Sequence, residues 1–149
     1  MGHPIMFDEA DPYLHRLRAI ALTFPDAAEK VSHGRPAFFT TKVFAYYGGS
    51  EKVDGGHQRH DQSLVVLVDP DERAALLTEE HGYLPMYLGV AGWVGVDLTD
   101  DPDWDEVAEL LDASYRRTAG ARRVAALDAA RATPAAVRTG VRRPPPSRG

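Results

Sequence analysis

Hydrophobic side chains recur at helical spacing after Asp11-Pro12, a pair typical of a helix N-cap and first helical position. The apolar positions of this segment are Leu14, Leu17, Ile20, Ala21 and Phe24, after which Pro25 ends the pattern. Two later helix starts combine a capping aspartate with acids in the first turn, in 69–72 and 103–106. The pattern therefore predicts three helices, the second of which ends at Gly82.

β-forming residues dominate 29–47, where the turn Gly34-Arg35-Pro36 indicates a hairpin or meander. Residues 48–62 are polar, with four glycines and charges of both signs, which predicts a mobile loop. Ser63–Val68 is apolar on both faces, as a central strand requires. Segments 83–87 and 92–98 predict two more strands, joined through a glycine-containing turn.

The order of these segments, α-β(3)-α-β(2)-α, does not alternate strand and helix, and this disfavours a parallel sheet. We expect an α+β fold, a two-layer sandwich with a mainly antiparallel five-stranded sheet and helices on one face. The domain is expected to occupy residues 1–119. Residues 120–149 read as a basic tail rich in Ala, Arg and Pro, helical as far as Ala132 and disordered beyond Pro134.

Composition narrows the class of protein. A chain of 149 residues with 44% hydrophobic content suits one globular core. The absence of cysteine excludes a disulfide framework, a thiolate zinc site and a cysteine nucleophile, and fits a reducing compartment. No apolar run of about 18 residues and no signal-like start occur, so we expect a cytoplasmic protein without membrane partners.

Charge is divided unevenly along the chain. Residues 120–149 hold seven arginines and one aspartate, which is +6, so the net charge of −5 leaves −11 for residues 1–119. Phosphate would therefore be attracted by the tail or by a local patch, because the body repels it on average.

Several short motifs occur together. Gly34-Arg35-Pro36-Ala37-Phe38 precedes Lys42-Val43-Phe44-Ala45, and both Gly92-Trp93-Val94 and Ser114-Tyr115 follow. In this order and spacing the chain resembles the YjbR/MmcQ family over about residues 12–119. The resemblance implies the same α-β(3)-α-β(2)-α two-layer fold, similar to secretion-chaperone-like and CyaY-like domains. It also implies DNA binding.

Alternation along the strands predicts where the candidate binding residues point. Lys42, Phe44 and Tyr46 share one face of their strand, and Trp93 faces away from the helices; together they would form an aromatic and basic surface for stacking bases. Alternatively, Phe44 and Trp93 fill a second small core or a dimer contact, and the cations are solvated or paired with acids. The candidate nucleic-acid-binding residues are Arg35, Lys42, Tyr46, Trp93, Arg116, Arg117, Arg122 and Arg123.

Catalytic and metal chemistry receive less support from the sequence. His57 and His60 lie near Asp54 and Asp61, but in a glycine-rich segment without preorganisation, so no metal is expected. Ser32 and His33 are adjacent on a strand and would point to opposite faces, which disfavours a catalytic pair. We therefore expect neither catalytic residues nor a cofactor.

Three functional hypotheses remain open. The first is a DNA-binding module that uses the open sheet face and the basic tail. The second is a non-enzymatic protein-interaction or adaptor domain with a protein partner or a second copy. The third is a small-ligand pocket around His33, Arg35, Tyr83 and Trp93.

Overall fold

The computed structural model describes residues 4–138, with side chains as far as residue 132. The helices in this part are α1 Pro12–Ala21, α2 Pro70–Leu77, α3 Trp104–Thr118 and α4 Ala121–Arg138. The strands are β1 Ala28–Ser32, β2 Arg35–Phe39, β3 Val43–Val53, β4 Gly56–Leu67, β5 Gly82–Tyr83 and β6 Trp93–Asp97. A short 3₁₀ turn, Leu88–Ala91, connects β5 to β6.

The strands form one antiparallel sheet in the order β1-β2-β3-β4-β6-β5. The predicted α+β class with an antiparallel sheet is confirmed. The sheet has six strands rather than five, because residues 28–53 form a three-stranded meander, one of the two arrangements expected there, and β4, β5 and β6 complete the sheet. Ser63–Val68 belongs to β4, which pairs with β3 on one side and β6 on the other and is central as predicted.

The prediction of a mobile loop at 48–62 is wrong. These residues form the far halves of β3 and β4, paired from Gly49↔His60 to Val53↔Gly56 around a turn at Asp54-Gly55. Gly55 adopts φ 82°, which glycine accepts without strain. Ladder hydrogen bonds need no apolar side chains, so a polar and glycine-rich stretch can still extend a hairpin.

The predicted strand 83–87 is shorter than expected. Pairing with β6 covers only Gly82 and Tyr83, after which the chain crosses to the β3–β4 hairpin. There the Met86 backbone N–H donates to the carbonyl oxygen of Ser50 at 2.8 Å. Residues 85 and 86 therefore lie along the hairpin instead of completing a regular strand pair.

The main hydrophobic core lies between the sheet and the helices. It combines apolar side chains of α1 and α3 with residues from β2, β3, β4 and β6: Leu14, Leu17, Phe38, Phe44, Tyr47, Leu64, Val66, Val94, Leu110, Leu111 and Tyr115. Asp11 caps α1, since its Oδ1 accepts from the Tyr13 backbone N–H at 2.9 Å, and its Oδ2 accepts from the Tyr47 hydroxyl. The cap thus fixes α1 against β3.

Ser114 joins α3 to two strands. Its buried hydroxyl donates to the Phe44 carbonyl and accepts from the Leu67 backbone N–H at 2.9 Å. Both backbone groups lie just beyond the Ala45↔Val66 pair of the β3–β4 ladder. The serine therefore satisfies two groups that burial would otherwise leave unpaired.

Helix α4 packs on the domain although it belongs to the segment expected as a tail. It begins after Gly120, its Leu127 is buried in the main core, and the Arg131 guanidinium lies 5.7 Å from the Phe24 ring centroid. The helix continues past Pro134 to Arg138. Disorder is predicted beyond Pro134, and residues 139–149 of that stretch fall outside the described residues.

Candidate functional site

Tyr46 and Trp93 meet on the sheet face opposite the helices, where alternation along β6 places Trp93 as predicted. Their ring centroids are 5.5 Å apart at an interplanar angle of 61°, and they pack with Val65 and Tyr83 in a small second cluster. Trp93 is only 8% exposed. The two rings therefore contact each other, and Trp93 presents little face on which a base could stack.

The predicted position of Phe44 on this open face is wrong. Phe44 is fully buried on the helix side, with its ring 5.3 Å from the ring of Tyr115. The pairing of β2 with β3 skips it, because Phe38 faces Ala45 and Phe39 faces Val43. This β-bulge reverses the alternation before Ala45, so Val43, not Phe44, packs beside Tyr46 on the open face.

Two of the candidate arginines form ion pairs with acidic side chains. Arg35 is 7% exposed, and its Nη1 lies 3.0 Å from Asp61 Oδ1. Arg116 binds Asp128 at 2.7 Å and Asp112 at 2.8 Å, and these hydrogen bonds raise its pKa. A phosphate at Arg35 Nη1 or at Arg116 would compete with these carboxylates.

The other candidate cations lie on or next to segments that meet. Arg123 Nη1 donates to Thr41 Oγ1 at 3.4 Å and to the Ala119 carbonyl at 3.2 Å, so the start of α4, the end of α3 and the β2–β3 turn meet. Its Nε also pairs with Asp26 at 3.0 Å. We call the four cations on these segments the basic end: Lys42, Arg117, Arg122 and Arg123.

Within the basic end, Lys42, Arg117 and Arg122 are exposed. None of the three forms an ion pair or a side-chain hydrogen bond with another residue in the described part of the chain. Unlike the buried Arg35 and the doubly paired Arg116, these three cations are exposed and have no carboxylate partner among the described residues.

A cavity of about 680 Å³ opens on the same sheet face as Tyr46. Its floor includes Tyr46 and Val65, and one wall is the crossing segment 85–88. The opposite side comes from Met6 and the β1–β2 turn. The complete lining is Met6, Ser32, His33, Arg35, Tyr46, Gly48, Gly49, Ser50, His57, Val65, Pro85, Met86, Tyr87 and Leu88. His33 and Arg35, two of the four residues of the predicted ligand pocket, belong to it, whereas Tyr83 and Trp93 lie in the cluster with Val65.

Beside the cavity, His60 belongs to a polar cluster that sequence reasoning missed. Its Nδ1 lies 2.8 Å from Asp97 Oδ1, its Nε2 lies 3.0 Å from Glu51 Oε1, and its ring stacks on Tyr83 at 3.8 Å. Only the imidazolium could donate to both carboxylates. The alternating strand pattern could have placed His60 opposite Gly49, but only after 48–62 had been recognised as a hairpin.

Burial raises the pKa of Tyr83, whose hydroxyl contacts Ser63 Oγ at 2.7 Å. Burial likewise raises the pKa of Tyr46. For Asp61, burial acts to raise the pKa, but hydrogen bonds from Arg59 and Arg35 outweigh it and the net shift is downward. Among the described residues, no group of three histidine, aspartate or glutamate side chains is arranged to hold a metal ion.

The geometry defines a class of protein: an antiparallel α+β domain with helices on one face of its sheet and a cavity on the other. The YjbR family model matches residues 22–117, well over half of the chain. The chain belongs to the YjbR family, and the resemblance found in its motifs is confirmed. No curated protein matches it.

In the part of the chain that the structure describes, no helix is sufficiently long and apolar to cross a bilayer.

Proposed function

We propose that this protein binds the phosphate backbone of DNA through the basic end. The observation that carries the proposal is that Lys42, Arg117 and Arg122 are exposed, have no ion-pair partner among the described residues, and lie on or next to the segments that Arg123 joins. A free cation that meets a phosphate releases counterions without first losing a carboxylate partner. DNA binding is thus supported at a different place from the open sheet face expected from the sequence.

The charge distribution favours a defined orientation on DNA. The first 119 residues carry −11, whereas residues 120–149 carry +6, of which +4 comes from residues that follow Arg123 in sequence. A molecule with this asymmetry would turn its positive end towards a polyanion. Such contacts fix position on the duplex without reading its sequence.

The test is fluorescence anisotropy of a labelled duplex of about 20 base pairs, titrated with full-length protein at several salt concentrations. Three to four phosphate contacts predict a slope of log affinity against log salt of about −3. Charge reversal of Lys42, Arg117 and Arg122 together to Glu should weaken binding at low salt at least about tenfold. An unaltered affinity would contradict the basic end as the interface.

A matched control separates this interface from general charge effects. Lys52 is also exposed and lies near the other end of β3, on the order of 30 Å from Lys42 along the strand. Lys42→Glu should weaken binding about threefold or more, whereas Lys52→Glu should change it less than twofold. Equal losses would indicate that only net charge matters.

A separate variant tests whether the arginines near the end of the chain contribute to DNA binding. Arg142, Arg143 and Arg148 can be changed together to Ala in the full-length protein. If this change abolishes binding and the basic-end triple variant leaves it intact, the folded domain is not the binding element. If the wild-type protein fails to bind at low salt, DNA binding itself is wrong.

A protein-interaction role is the second candidate, and one observation favours it. Leu84, Tyr87 and Val90 lie within one short segment and are 48%, 84% and 96% exposed. Exposed apolar residues close together are typical of contacts between proteins. If the partner is a second copy of this chain, light scattering should show a dimer, and Tyr87→Glu should convert it to a monomer.

Both candidates are binding functions, and we propose that the protein is not an enzyme.

A further inference from the structure

The cavity on the open sheet face has the features of a ligand-binding site, and this interpretation does not depend on DNA binding. It lies at the opposite side of β2 and β3 from the main core, between the β3–β4 hairpin, the crossing segment 85–88 and Met6. Its volume of about 680 Å³ falls within the range of small-molecule sites in proteins.

The charged and titratable groups that line the cavity favour an anion. Although the chain carries a net charge of −5, no aspartate or glutamate lines this cavity, whereas Arg35, His33 and His57 do. The nearest carboxylate to Arg35 is Asp61, and its Oδ1 is also held by Arg59 Nε at 3.0 Å. Two guanidinium groups thus share one carboxylate, which leaves a local charge of +1.

Arg35 lines the cavity, and one nitrogen of its guanidinium has no hydrogen-bond partner among the described residues. One nitrogen, Nη1, is used by Asp61, while Nη2 is buried and has no hydrogen-bond partner among the described residues. A buried charged donor without an acceptor is costly, so an acceptor in the cavity that reaches Nη2 would gain from binding here. Gly48 makes room for the guanidinium, since a Cβ there would lie 2.3 Å from Nη1.

Much of the remaining lining is apolar and adaptable. Val65, Leu88, Met86 and Met6 surround the centre of the cavity, and methionine side chains adjust readily to ligand shape. The Tyr46 hydroxyl forms no hydrogen bond within the described structure and is available as one more donor. The lining thus combines an arginine with an apolar space that a simple inorganic ion would leave unfilled.

We propose that the cavity binds a small organic oxyanion, in which a carboxylate, phosphate or sulfonate joined to an aromatic or aliphatic body is held by Arg35. The acidic head would receive hydrogen bonds from the guanidinium, and the body would pack against the methionines, Val65 and Leu88.

Two fluorescent probes with the same aromatic body test both parts of the proposal. 8-Anilinonaphthalene-1-sulfonate carries an oxyanion, whereas N-phenyl-1-naphthylamine lacks it. We expect one sulfonate probe per chain, bound at least about tenfold more tightly than the uncharged probe. Equal affinities for the two probes, or several equivalent sites, would overturn the proposal.

Variants assign the site to Arg35. Arg35→Met should lower the affinity for the sulfonate probe about tenfold or more and change that for the uncharged probe less than twofold, and Arg35→Lys should fall between. Circular dichroism establishes whether each variant folds. A folded Arg35→Met protein that binds the sulfonate probe as well as the wild type would contradict the proposal.

A second pair of variants keeps Arg35 intact in case its replacement prevents folding. Ser50→Trp places an indole in the cavity and should abolish binding of both probes. Gln58→Trp adds the same bulk to an exposed position of the same hairpin that does not line the cavity, and should leave binding unchanged. Binding that survives Ser50→Trp would place the probe elsewhere.

Competition then identifies the head group. Phenyl phosphate and phenylacetate present the same ring with different oxyanions, and inorganic phosphate presents the head alone. Displacement of the sulfonate probe by one aromatic anion at a concentration at least about tenfold below that of inorganic phosphate supports an organic ligand. Equal displacement by inorganic phosphate would overturn the apolar part of the proposal.

Discussion

Side chains on the two faces of β4 pack in two different clusters. Leu64 and Val66 face α1 and α3 in a continuous core, whereas Val65 and Leu67 face a small cluster with Tyr83 and Trp93. The helix-covered face is filled by large side chains such as Phe44, whereas on the other face Gly48, Gly49 and Ser50 line a cavity. The helix-covered face of the sheet is therefore closely packed, whereas the open face contains a cavity.

The largest expected difference between the faces is in stability. Phe44→Ala should lower the free energy of unfolding by about 3–5 kcal/mol, because it empties the centre of the packed core. Tyr46→Ala, two residues along on the open face, should cost about 1–2 kcal/mol, since its side chain is only partly buried. Urea denaturation measures both, and equal losses would show that the two layers are packed alike.

Tyr83 packs closely against β6 on the open face, and this contact can be tested at Gly95. A Cβ at this position would lie 2.2 Å from the Tyr83 ring, so Gly95→Ala should destabilise the protein by about 1–3 kcal/mol in urea or thermal unfolding. In a Tyr83→Ala background the same substitution should cost clearly less, because its obstacle is gone. Additive effects would argue against this contact.

The smallest effect concerns pH and the pair between Arg35 and Asp61. Because hydrogen bonds from Arg59 and Arg35 lower the pKa of Asp61 in the folded state, these ion pairs stabilise the protein above the unfolded pKa of about 3.9, and this stability is lost as the pH falls through the folded pKa. Wild type should therefore lose more stability than Asp61→Asn between about pH 5 and pH 2. With the Asp61 side chain 45% exposed, we expect a difference below about 1 kcal/mol.

That pH difference is measured from urea midpoints at several pH values. Asp54→Asn, in the exposed hairpin turn, is the control and should keep the wild-type pH profile. A profile for Asp61→Asn identical to that of wild type would mean that the arginine gains nothing from the carboxylate.

Local sequence signals predicted the helices well. Each start depends on residues next to one another, such as Asp11-Pro12 and Asp69-Pro70, and the structure places N-caps at Asp11, Asp69 and Asp103. The β3–β4 hairpin was missed because its pairing joins exposed polar residues that show no apolar alternation. The side of the sheet on which Phe44 lies depends on a bulge, which alternation alone does not reveal.

The candidate binding residues were predicted less completely than the fold. Trp93 and Tyr46 share a face as expected, but their packing against each other depends on β4 and β6 being neighbours. The partner of Arg35 is 26 positions away in sequence, and that of Arg123 is 97 positions away. Such ion pairs decide which cations remain available, and they follow only from the tertiary arrangement.

The contacts of α1 and α4 set the extent of the folding unit. The family match begins at residue 22 and ends at residue 117, yet Leu14 and Leu17 before it and Leu127 after it are buried in the same core. A fragment trimmed to the matched residues would expose the inner surfaces of α3 and β3 to water and would be prone to aggregate. Experiments on this domain should therefore retain both flanking helices.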